Sequence, residues 1–293
     1  MKLFKYIKLA TYIFFNIDSF KDVVYVFKFR HCFYIWRIKN NVKKLGFKIK
    51  KIEKDYVVFS NTQINCIVNI EYPWMFDEVF GEEVYKFHDN IIKENEKYTV
   101  FDIGANRGYA SLYFLTKPWS DKIYSFELLP QNYSEFQKNL DINNKNISQK
   151  IKSYNFGLST KDANIVASFF TYGDASCSIN KDFLLKYTQE YKNNEIKTIC
   201  ELKQTSEILK QIIEFEKVDK IVLKIDVEGS EYEIFDDLIK YYPQIFNKIV
   251  KIVGEAHLGF DKLYDKLKTF GYTIVWKKKY KDFDEFELSK EIS

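Results

Sequence analysis

The 293-residue sequence has only four cysteines, and they follow no metal-binding or disulfide pattern. Cys32, Cys66, Cys177 and Cys200 form no CxxC pair and have no paired histidines nearby. Closely spaced cysteines and histidines mark zinc sites, and dense cysteine frameworks mark small secreted folds. The absence of both patterns predicts reduced, structural thiols in a cytoplasmic protein.

Long apolar runs are also absent. The run Leu9–Phe15 is too short to cross a bilayer, which requires about 20 apolar residues. No small-residue cleavage site follows this run, so the sequence predicts no signal peptide.

Arginine is scarce, since only three of the 45 basic residues are arginine. Proteins that read nucleic-acid bases rely on arginine, so nucleic acid is not an expected partner. Charge is unevenly placed: residues 1–60 hold 14 basic and 4 acidic residues, a net +10, which leaves 4 − 10 = −6 for residues 61–293. A basic segment suits a phosphorylated substrate or an anionic surface. Residues 1–60 are therefore predicted to allow peripheral contact with the inner membrane surface.

Hydrophobic residues make up 46% of the chain and aromatic residues 18%, enough for a packed core. The length fits a catalytic domain with an accessory region. Residues 1–95 are predicted to form that region, a cap over the substrate or a surface attachment, from helices over 2–16 and 22–40 and short strands over 46–70. They carry no chemical motif, and the sequence predicts no oligomeric state.

From residue 97, predicted strands and helices alternate, which is typical of a doubly wound sheet. The predicted strands cover 98–103, 122–127, 151–156, 219–227, 249–255, 272–277 and 284–288. The predicted helices cover 107–117, 131–143, 205–216, 230–240 and 260–270. Residues 160–200 form an insertion with a strand over 165–172 and a polar turn over 173–176.

Residues 101–108 read FDIGANRG and predict a strand, a tight glycine turn and a helix start. Loops that bind pyrophosphate use G-x-G-x-x-G, which is missing here, and a carboxylate in the turn would repel pyrophosphate. This excludes a NAD-dependent dehydrogenase. With Asp102 just before the first glycine, the D-x-G-x-N-x-G spacing suits S-adenosylmethionine (SAM), which carries an ammonium, a sulfonium and a ribose.

Glu127 ends the next predicted strand, 19 residues after Gly108. A carboxylate at about this spacing holds a ribose diol in such sheets. Pro130 follows near the first turn of a helix, its preferred place. Glu127 is therefore predicted to bind the ribose of the cofactor.

A third segment, residues 224–231, reads KIDVEGSE. Strand alternation places Lys224, Asp226 and Glu228 on one face, and unpaired buried charges are costly, so these three predict the mouth of a site. Ser230 and Glu233 predict a capping box at the start of the next helix. Glu231 is expected only to favour that helix N-terminus.

The neighbouring predicted strand ends in Glu255 and His257, which lie two residues apart on one face. Of the three histidines, His257 alone follows the carboxyl end of a strand, where open α/β sheets keep their ligands. His31 and His88 lie on helical patterns and are expected to be packing or surface residues. Asp226 and His257 are therefore the candidate general bases.

The segments FDIGANRG, FELLPQNYSEFQKNL (126–140), NFGLS (155–159) and KIDVEGSEYEIF (224–235) resemble the FkbM family of SAM-dependent methyltransferases. The resemblance spans roughly residues 97–260. It implies a class I methyltransferase fold, Rossmann-like, with a seven-stranded sheet whose last strand is antiparallel. It also implies O-methylation, often of sugars or polysaccharides.

The resemblance also implies site residues. The cofactor contacts it implies are Asp102, Gly104, Asn106, Gly108 and Glu127, with Asn155 near the adenine. It places Asp226, Glu228 and His257 facing the acceptor.

The sequence thus predicts a SAM-dependent O-methyltransferase that acts on a sugar hydroxyl, of a nucleotide-linked sugar or a surface-polysaccharide precursor. One alternative is a metal-assisted enzyme, acting on another small metabolite, in which Asp226, Glu255 and His257 hold a divalent ion. A second alternative is a SAM-binding or interaction protein without turnover.

Overall fold

The computed structural model describes residues 32–170 and 195–291, with the backbone alone for residues 32, 33, 168–170 and 195. The chain divides into two compact units at the Val84–Tyr85 bond, so residues 85–95 belong to the second unit. The predicted helix over 2–16, most of that over 22–40 and the turn over 173–176 lie outside the described residues. Among those described, no helix is long and apolar enough to cross a membrane.

The first unit contains a helix and a small antiparallel sheet. Its elements are α1 (Cys32–Val42), a 3₁₀ turn (Lys43–Leu45), β1 (Lys48–Ile52), β2 (Tyr56–Ser60), β3 (Asn65–Asn69) and α2 (Trp74–Phe76), which continues into a π-helical turn (Asp77–Glu82). The strands pair in the order β1-β2-β3, which confirms the short strands expected over 46–70. Phe47, Phe59, Phe76 and Phe80 pack their rings together in its core.

The second unit alternates strands and helices. Its strands are β4 (Tyr98–Ile103), β5 (Ser120–Phe126), β6 (Ile151–Tyr154), β7 (Gly157–Ser159), β8 (Ala163–Phe170), β9 (Glu195–Gln204), β10 (Ile221–Ile225), β11 (Ile249–Ala256), β12 (Thr273–Lys279) and β13 (Asp284–Ser289). Its helices are α3 (Tyr109–Leu115), α4 (Pro130–Asp141), α5 (Lys145–Ser148), α6 (Thr205–Glu216), α7 (Glu231–Tyr241) and α8 (Phe260–Leu267), with 3₁₀ turns at Pro243–Asn247 and Lys268–Phe270.

Seven of the described strands form one sheet in the order β12-β13-β11-β10-β4-β5-β6. Strands β11, β10, β4, β5 and β6 pair in parallel, whereas β13 runs antiparallel to both β11 and β12. This confirms the predicted class I methyltransferase architecture with its antiparallel last strand. Because the carboxyl ends of the parallel strands meet at one edge, the residues that follow β4, β5, β10 and β11 come together there.

The two faces of the sheet differ in polarity. One face is apolar: Phe101, Ile103, Leu223, Ile225 and Ile252 are buried in the main core. The strand register places the charged side chains of Asp102, Lys224, Lys251 and Glu287 together on the opposite face.

Residues 85–89, which we call the strap, are bonded to this polar face. The Asp89 carboxylate lies 2.5 Å from the buried Lys251 Nζ, and the His88 backbone N–H donates to the Glu287 carboxylate. The His88 ring also stacks on Trp276 at 4.8 Å. Residue 88 is therefore a packing residue, as expected, although it lies in irregular backbone rather than on a helix.

One strand was missed and one local prediction was wrong. Strand β9 was not predicted, and it pairs with β7 and β8 in a three-stranded sheet. The Ser230 side chain makes no capping bond, so the predicted capping box with Glu233 is absent. The carboxylate of Glu231, next to Ser230, instead accepts N–H bonds from Val227 and Gly229.

Candidate active site

The glycine turn after β4 packs directly against the segment after β10. Gly104 has a φ of 81°, and a Cβ added there would lie 1.8 Å from the backbone oxygen of Asp226. Gly108 has a φ of 80°, and a Cβ there would collide with the Phe136 ring. The first glycine therefore allows the turn to approach Asp226, and the second allows α3 to start against α4.

Asp102 lies beneath this turn rather than beside the cavity. Its side chain is fully buried, accepts a 2.5 Å hydrogen bond from Ser111 Oγ and pairs with Lys224 Nζ at 3.2 Å. Lys224 Nζ also donates to the carbonyl of Gly104 at 2.5 Å. Asp102 and Lys224 therefore hold the turn in place from below, and a direct contact of Asp102 with the cofactor stays a prediction.

Glu127 lies at the carboxyl end of β5, as predicted, and faces the cavity above the turn. Its carboxylate accepts N–H bonds from Asn106 at 2.7 Å and Leu129 at 2.8 Å. Burial raises the pKa of this carboxyl to about 7, against the opposing effect of those two bonds. The side chain is therefore fixed in direction by the backbone and titrates near neutrality.

A cavity opens at this edge of the sheet, and three of the predicted cofactor residues line it: Gly104, Asn106 and Glu127. The remaining lining residues are Ile103, Phe126, Leu128, Leu129, Asn132, Gly157, Leu158, Leu202, Asp226, Val227, Glu228 and Ser230. Asn155 does not line it. Its amide donates to the carbonyl of Glu127 at 3.0 Å, so Asn155 supports the loop rather than facing the cavity.

The predicted acceptor residues come together, and two of them, Asp226 and Glu228, line this cavity. His257 Nε2 lies 3.4 Å from Glu228 Oε2 and 3.3 Å from Glu255 Oε2. Asp226, Glu228 and His257 each offer one ligand atom, and these atoms lie within 4.8 Å of one another. The prediction that strands β10 and β11 are neighbours, and bring these side chains together, is confirmed.

Glu231 is a site residue that the sequence analysis missed. It is fully buried, and its Oε1 lies 2.8 Å from His257 Nδ1. The same oxygen accepts the N–H groups of Val227 and Gly229. Glu231 therefore links the turn after β10 to His257 and fixes the ring. An acidic residue in the first turn of a helix is favoured by the helix dipole, and this explanation of Glu231 hid its contact with His257.

The carboxylates around His257 hold a proton on it. Burial lowers the pKa of His257, but hydrogen bonds to Glu231 and Glu255 and the charge of Glu228 outweigh burial and raise it to about 11. Burial and the charge of Asp226 raise the pKa of Glu255 to about 7. Burial likewise raises the pKa of Glu228 well above its ordinary value. At neutral pH the imidazole is therefore cationic.

A sequence model described as a methyltransferase FkbM domain matches residues 102–274, more than half of the chain. The chain belongs to the FkbM methyltransferase family. It is 20% identical to Methyltransferase 1 of Beauveria bassiana (strain ARSEF 2860) over 246 residues, which are 78% of this chain and 90% of that protein. It is 25% identical to Methyltransferase sdnD of Sordaria araneosa over 202 residues, 63% of this chain and 76% of that protein.

Among solved structures, Methyltransferase FkbM from Methylobacillus flagellatus KT is 14% identical to this FkbM protein, with a TM-score of 0.40. The match covers 66% of this chain and 43% of that chain.

One residue of this cavity in the FkbM methyltransferase has chemistry suited to SAM. A buried carboxylate at Glu127 faces it and is suited to a ribose diol, since its oxygens can accept two hydroxyl donors. We call residues 104–108 the cofactor turn, and Asp226, Glu228 and His257 the acidic cluster. The close approach of Gly104 to Asp226 brings the two side by side. The protein is a SAM-dependent methyltransferase, and two members of the Asp226, Glu228 and His257 cluster, Asp226 and Glu228, line the cavity that Glu127 faces.

Proposed function

We propose that this enzyme transfers the methyl group of SAM to a sugar hydroxyl, of a nucleotide-linked sugar or a surface-polysaccharide precursor. The observation that carries this proposal is the position of Asp226, which lines the cofactor cavity and lies within the acidic cluster. A hydroxyl acceptor must lose a proton, and a carboxylate beside the methyl donor is suited to receive it.

In this proposal the chain supplies alignment and a base. Bound SAM supplies an electrophilic methyl group on a sulfonium. The Asp226 carboxylate would receive the proton that the acceptor hydroxyl gives up on accepting this methyl group. Holding oxygen, carbon and sulfur in line can contribute about 7–11 kcal/mol.

His257 has a different part in this scheme. The carboxyl groups around it raise its pKa and favour its protonated form, which makes it a weaker base, whereas Asp226 lines the cavity and is the better candidate for that role. Its Nε2 instead lies 3.4 Å from Glu228 Oε2 and 3.3 Å from Glu255 Oε2, so the ring helps to hold both carboxyl groups in place. Ordered carboxylates are suited to accept hydrogen bonds from the other hydroxyls of a sugar.

The test is methyl transfer from SAM to a panel of nucleotide sugars and methyl glycosides, with the product mapped by mass spectrometry. We expect methylation on a hydroxyl oxygen, and a loss of roughly 10²–10⁴ in kcat for Asp226→Asn with SAM affinity retained. Methylation of a nitrogen acceptor alone would overturn the O-methyltransferase assignment. SAM binding without turnover on any acceptor would favour the non-catalytic alternative.

A metal-assisted reaction is the second candidate, because Asp226, Glu228 and His257 are close enough to share one divalent ion. The predicted ligands were Asp226, Glu255 and His257, so Glu228 takes the place of Glu255 in this set. Glu255 also lies beside His257. Such an ion would acidify the acceptor hydroxyl and displace the imidazole proton. Loss of activity with EDTA, restored by Mg²⁺ or Mn²⁺, would support it, and chelator-insensitive turnover would exclude it.

We further propose a cytoplasmic location, with residues 1–60 available for contact with the inner membrane surface, and no nucleic-acid partner. Cys66 and Cys200 are free and buried, which suits a reducing compartment. Burial raises the pKa of the Cys200 thiol to about 11, which keeps it unreactive.

A further inference from the structure

Tyr85 lies outside the matched domain, yet it contacts the proposed base. It is the first residue of the strap, 17 residues before the match begins at residue 102. Its side chain is 8% exposed, and its hydroxyl donates to Asp226 Oδ2 at 3.4 Å. No sequence motif singled out this residue, since the segment around it has no recognisable pattern.

The surroundings of Asp226 show what this contact contributes. Lys224 Nζ lies 3.9 Å from the same oxygen, Oδ2, but is closer to Asp102 and to the carbonyl of Gly104. The Tyr85 hydroxyl is therefore the nearer of these two donors. Both contacts are to Oδ2, so they favour the rotation about the Cβ–Cγ bond that keeps Oδ2 toward them, and Oδ1 lies outside these two contacts.

The strap holds Tyr85 firmly in this position. The Tyr85 ring packs against Phe114 at 5.9 Å, and the ring of Phe87 stacks on Trp119 at 5.4 Å. Two residues further along, Asp89 accepts a 2.6 Å hydrogen bond from Ser289 Oγ besides its ion pair with Lys251. A hydroxyl placed by so many contacts is preorganised, and preorganised donors are the ones that orient a catalytic group.

We propose that Tyr85 is a positioning residue: its hydroxyl holds the Asp226 carboxylate in the orientation that receives the acceptor proton. This inference rests on the proposed function of Asp226 as base. It extends the catalytic unit to the strap, upstream of the residues that define the family domain.

The first test compares Tyr85→Phe with Tyr272→Phe in the full chain. Both variants keep the ring and lose one hydroxyl bond, since the buried Tyr272 hydroxyl donates to the Ile249 carbonyl at 2.8 Å, away from the site. We expect kcat of Tyr85→Phe to fall by roughly tenfold or more, with both KM values within about twofold of the parent and SAM affinity unchanged. Tyr272→Phe should keep its kcat. An unchanged kcat in Tyr85→Phe, or a fall shared by both variants, would overturn the inference.

The second test is a double-mutant cycle with Asp226→Asn, measured in kcat and in unfolding by urea. If Tyr85 acts through Asp226, Tyr85→Phe should change the residual kcat of Asp226→Asn by less than about twofold. A full tenfold loss in that background would show an independent role and overturn the inference.

The unfolding cycle needs no acceptor and so separates two failures. Additive effects of Tyr85→Phe and Asp226→Asn on unfolding would overturn the contact itself. The other outcome is that the two substitutions are coupled in unfolding but the parent enzyme methylates no sugar hydroxyl. The contact would then stand, whereas the proposed function, and with it the role of Asp226 as base, would be overturned.

Discussion

Glu127 combines a role predicted from its spacing with a charge state set by its surroundings. Its carboxyl pKa is raised to about 7, chiefly because it is buried. An acid with a raised pKa in the folded state stabilises the fold at pH below its ordinary value near 4.5, and this contribution is lost as pH rises toward 7. Ionising Glu127, as binding of a ribose diol requires, therefore lowers the free energy of unfolding of the free enzyme.

This charge state predicts a pH dependence of cofactor binding. SAM affinity should be highest above about pH 7 and fall by up to roughly tenfold per unit below it, because the neutral carboxyl must release a proton to accept both hydroxyls. Calorimetry from pH 5.5 to 8.5 measures this, and Glu127→Gln is the control. That variant should bind SAM more weakly and lose the added pH dependence. An identical pH profile in parent and variant would remove Glu127 from the ribose site.

Glu231 acts on His257, and the chain makes this measurable because it has only three histidines. A hydrogen bond to Glu231 is one of the effects that raise the His257 pKa to about 11. Since this value lies above the ordinary 6.5, the imidazolium stabilises the fold fully below pH 6.5, and the contribution is lost as pH rises through about 11.

Replacing Glu231 by Gln should therefore lower the pKa of His257 and weaken the stability advantage at neutral pH. NMR titration of the imidazole signals measures the pKa directly, and urea unfolding measures the stability. Glu233→Gln is the matched control, since Glu233 lies exposed on the same helix. Equal His257 titration in the two variants would contradict the role assigned to Glu231.

At the scale of elements, the strands of the large sheet could be predicted because each has a consistent pattern. All six residues of β4 are buried, and its apolar sequence ends at a glycine turn that marks the boundary. Strand β9 was missed because its sequence, EIKTICELKQ, is mostly polar and buries few side chains, Cys200 and Leu202 among them. Its identity as a strand depends on pairing with β7 and β8, which no local pattern reveals.

The site was predictable to the extent that single strand ends determine it. Glu127, Asp226, Glu228 and His257 lie at the expected edge because parallel strands end together. Contacts between distant segments were not predictable. Tyr85 reaches Asp226 across 141 residues of chain.

The glycine turn itself yields a prediction with a matched control. Gly104 and Gly259 both have positive φ, but a Cβ at Gly104 would meet the Asp226 backbone at 1.8 Å, whereas one at Gly259 meets nothing within 4 Å. We expect Gly104→Ala to abolish measurable SAM binding and lower the melting temperature, since the turn must move away from β10. Gly259→Ala should cost only the strain of its backbone, about 1–3 kcal/mol, and keep SAM affinity. Normal SAM binding by Gly104→Ala would show that the close approach is dispensable.

At the scale of the whole molecule, the two compact units differ in charge as well as in fold. The second unit carries the cofactor turn, the acidic cluster and the strap. The first unit, residues 1–84, has a net charge of 10 − 5 = +5, because five acidic residues over 61–84 offset part of the +10 of residues 1–60. Strand β1 of that unit has the sequence KIKKI, with its three lysines exposed. An acidic reaction site repels phosphate, so the proposed nucleotide-sugar acceptor, or the proposed lipid surface, would need a basic partner elsewhere.

These exposed lysines can be tested without removing any helix or strand. The triple variant Lys48→Gln, Lys50→Gln and Lys51→Gln should either raise KM for a nucleotide sugar severalfold or weaken binding to anionic liposomes, with SAM affinity unchanged in both cases. A raised KM would show that the β1 lysines contribute to acceptor binding. Weaker liposome binding would show that they contact a membrane surface. Binding of both kinds should weaken as salt rises, because exposed charges are screened over about 10 Å at 0.1 M. A control triple variant at the exposed Lys145, Lys150 and Lys262 removes equal charge from the second unit. If the control has the same effect as the β1 variant, net charge alone is responsible, and no specific role of the first unit remains.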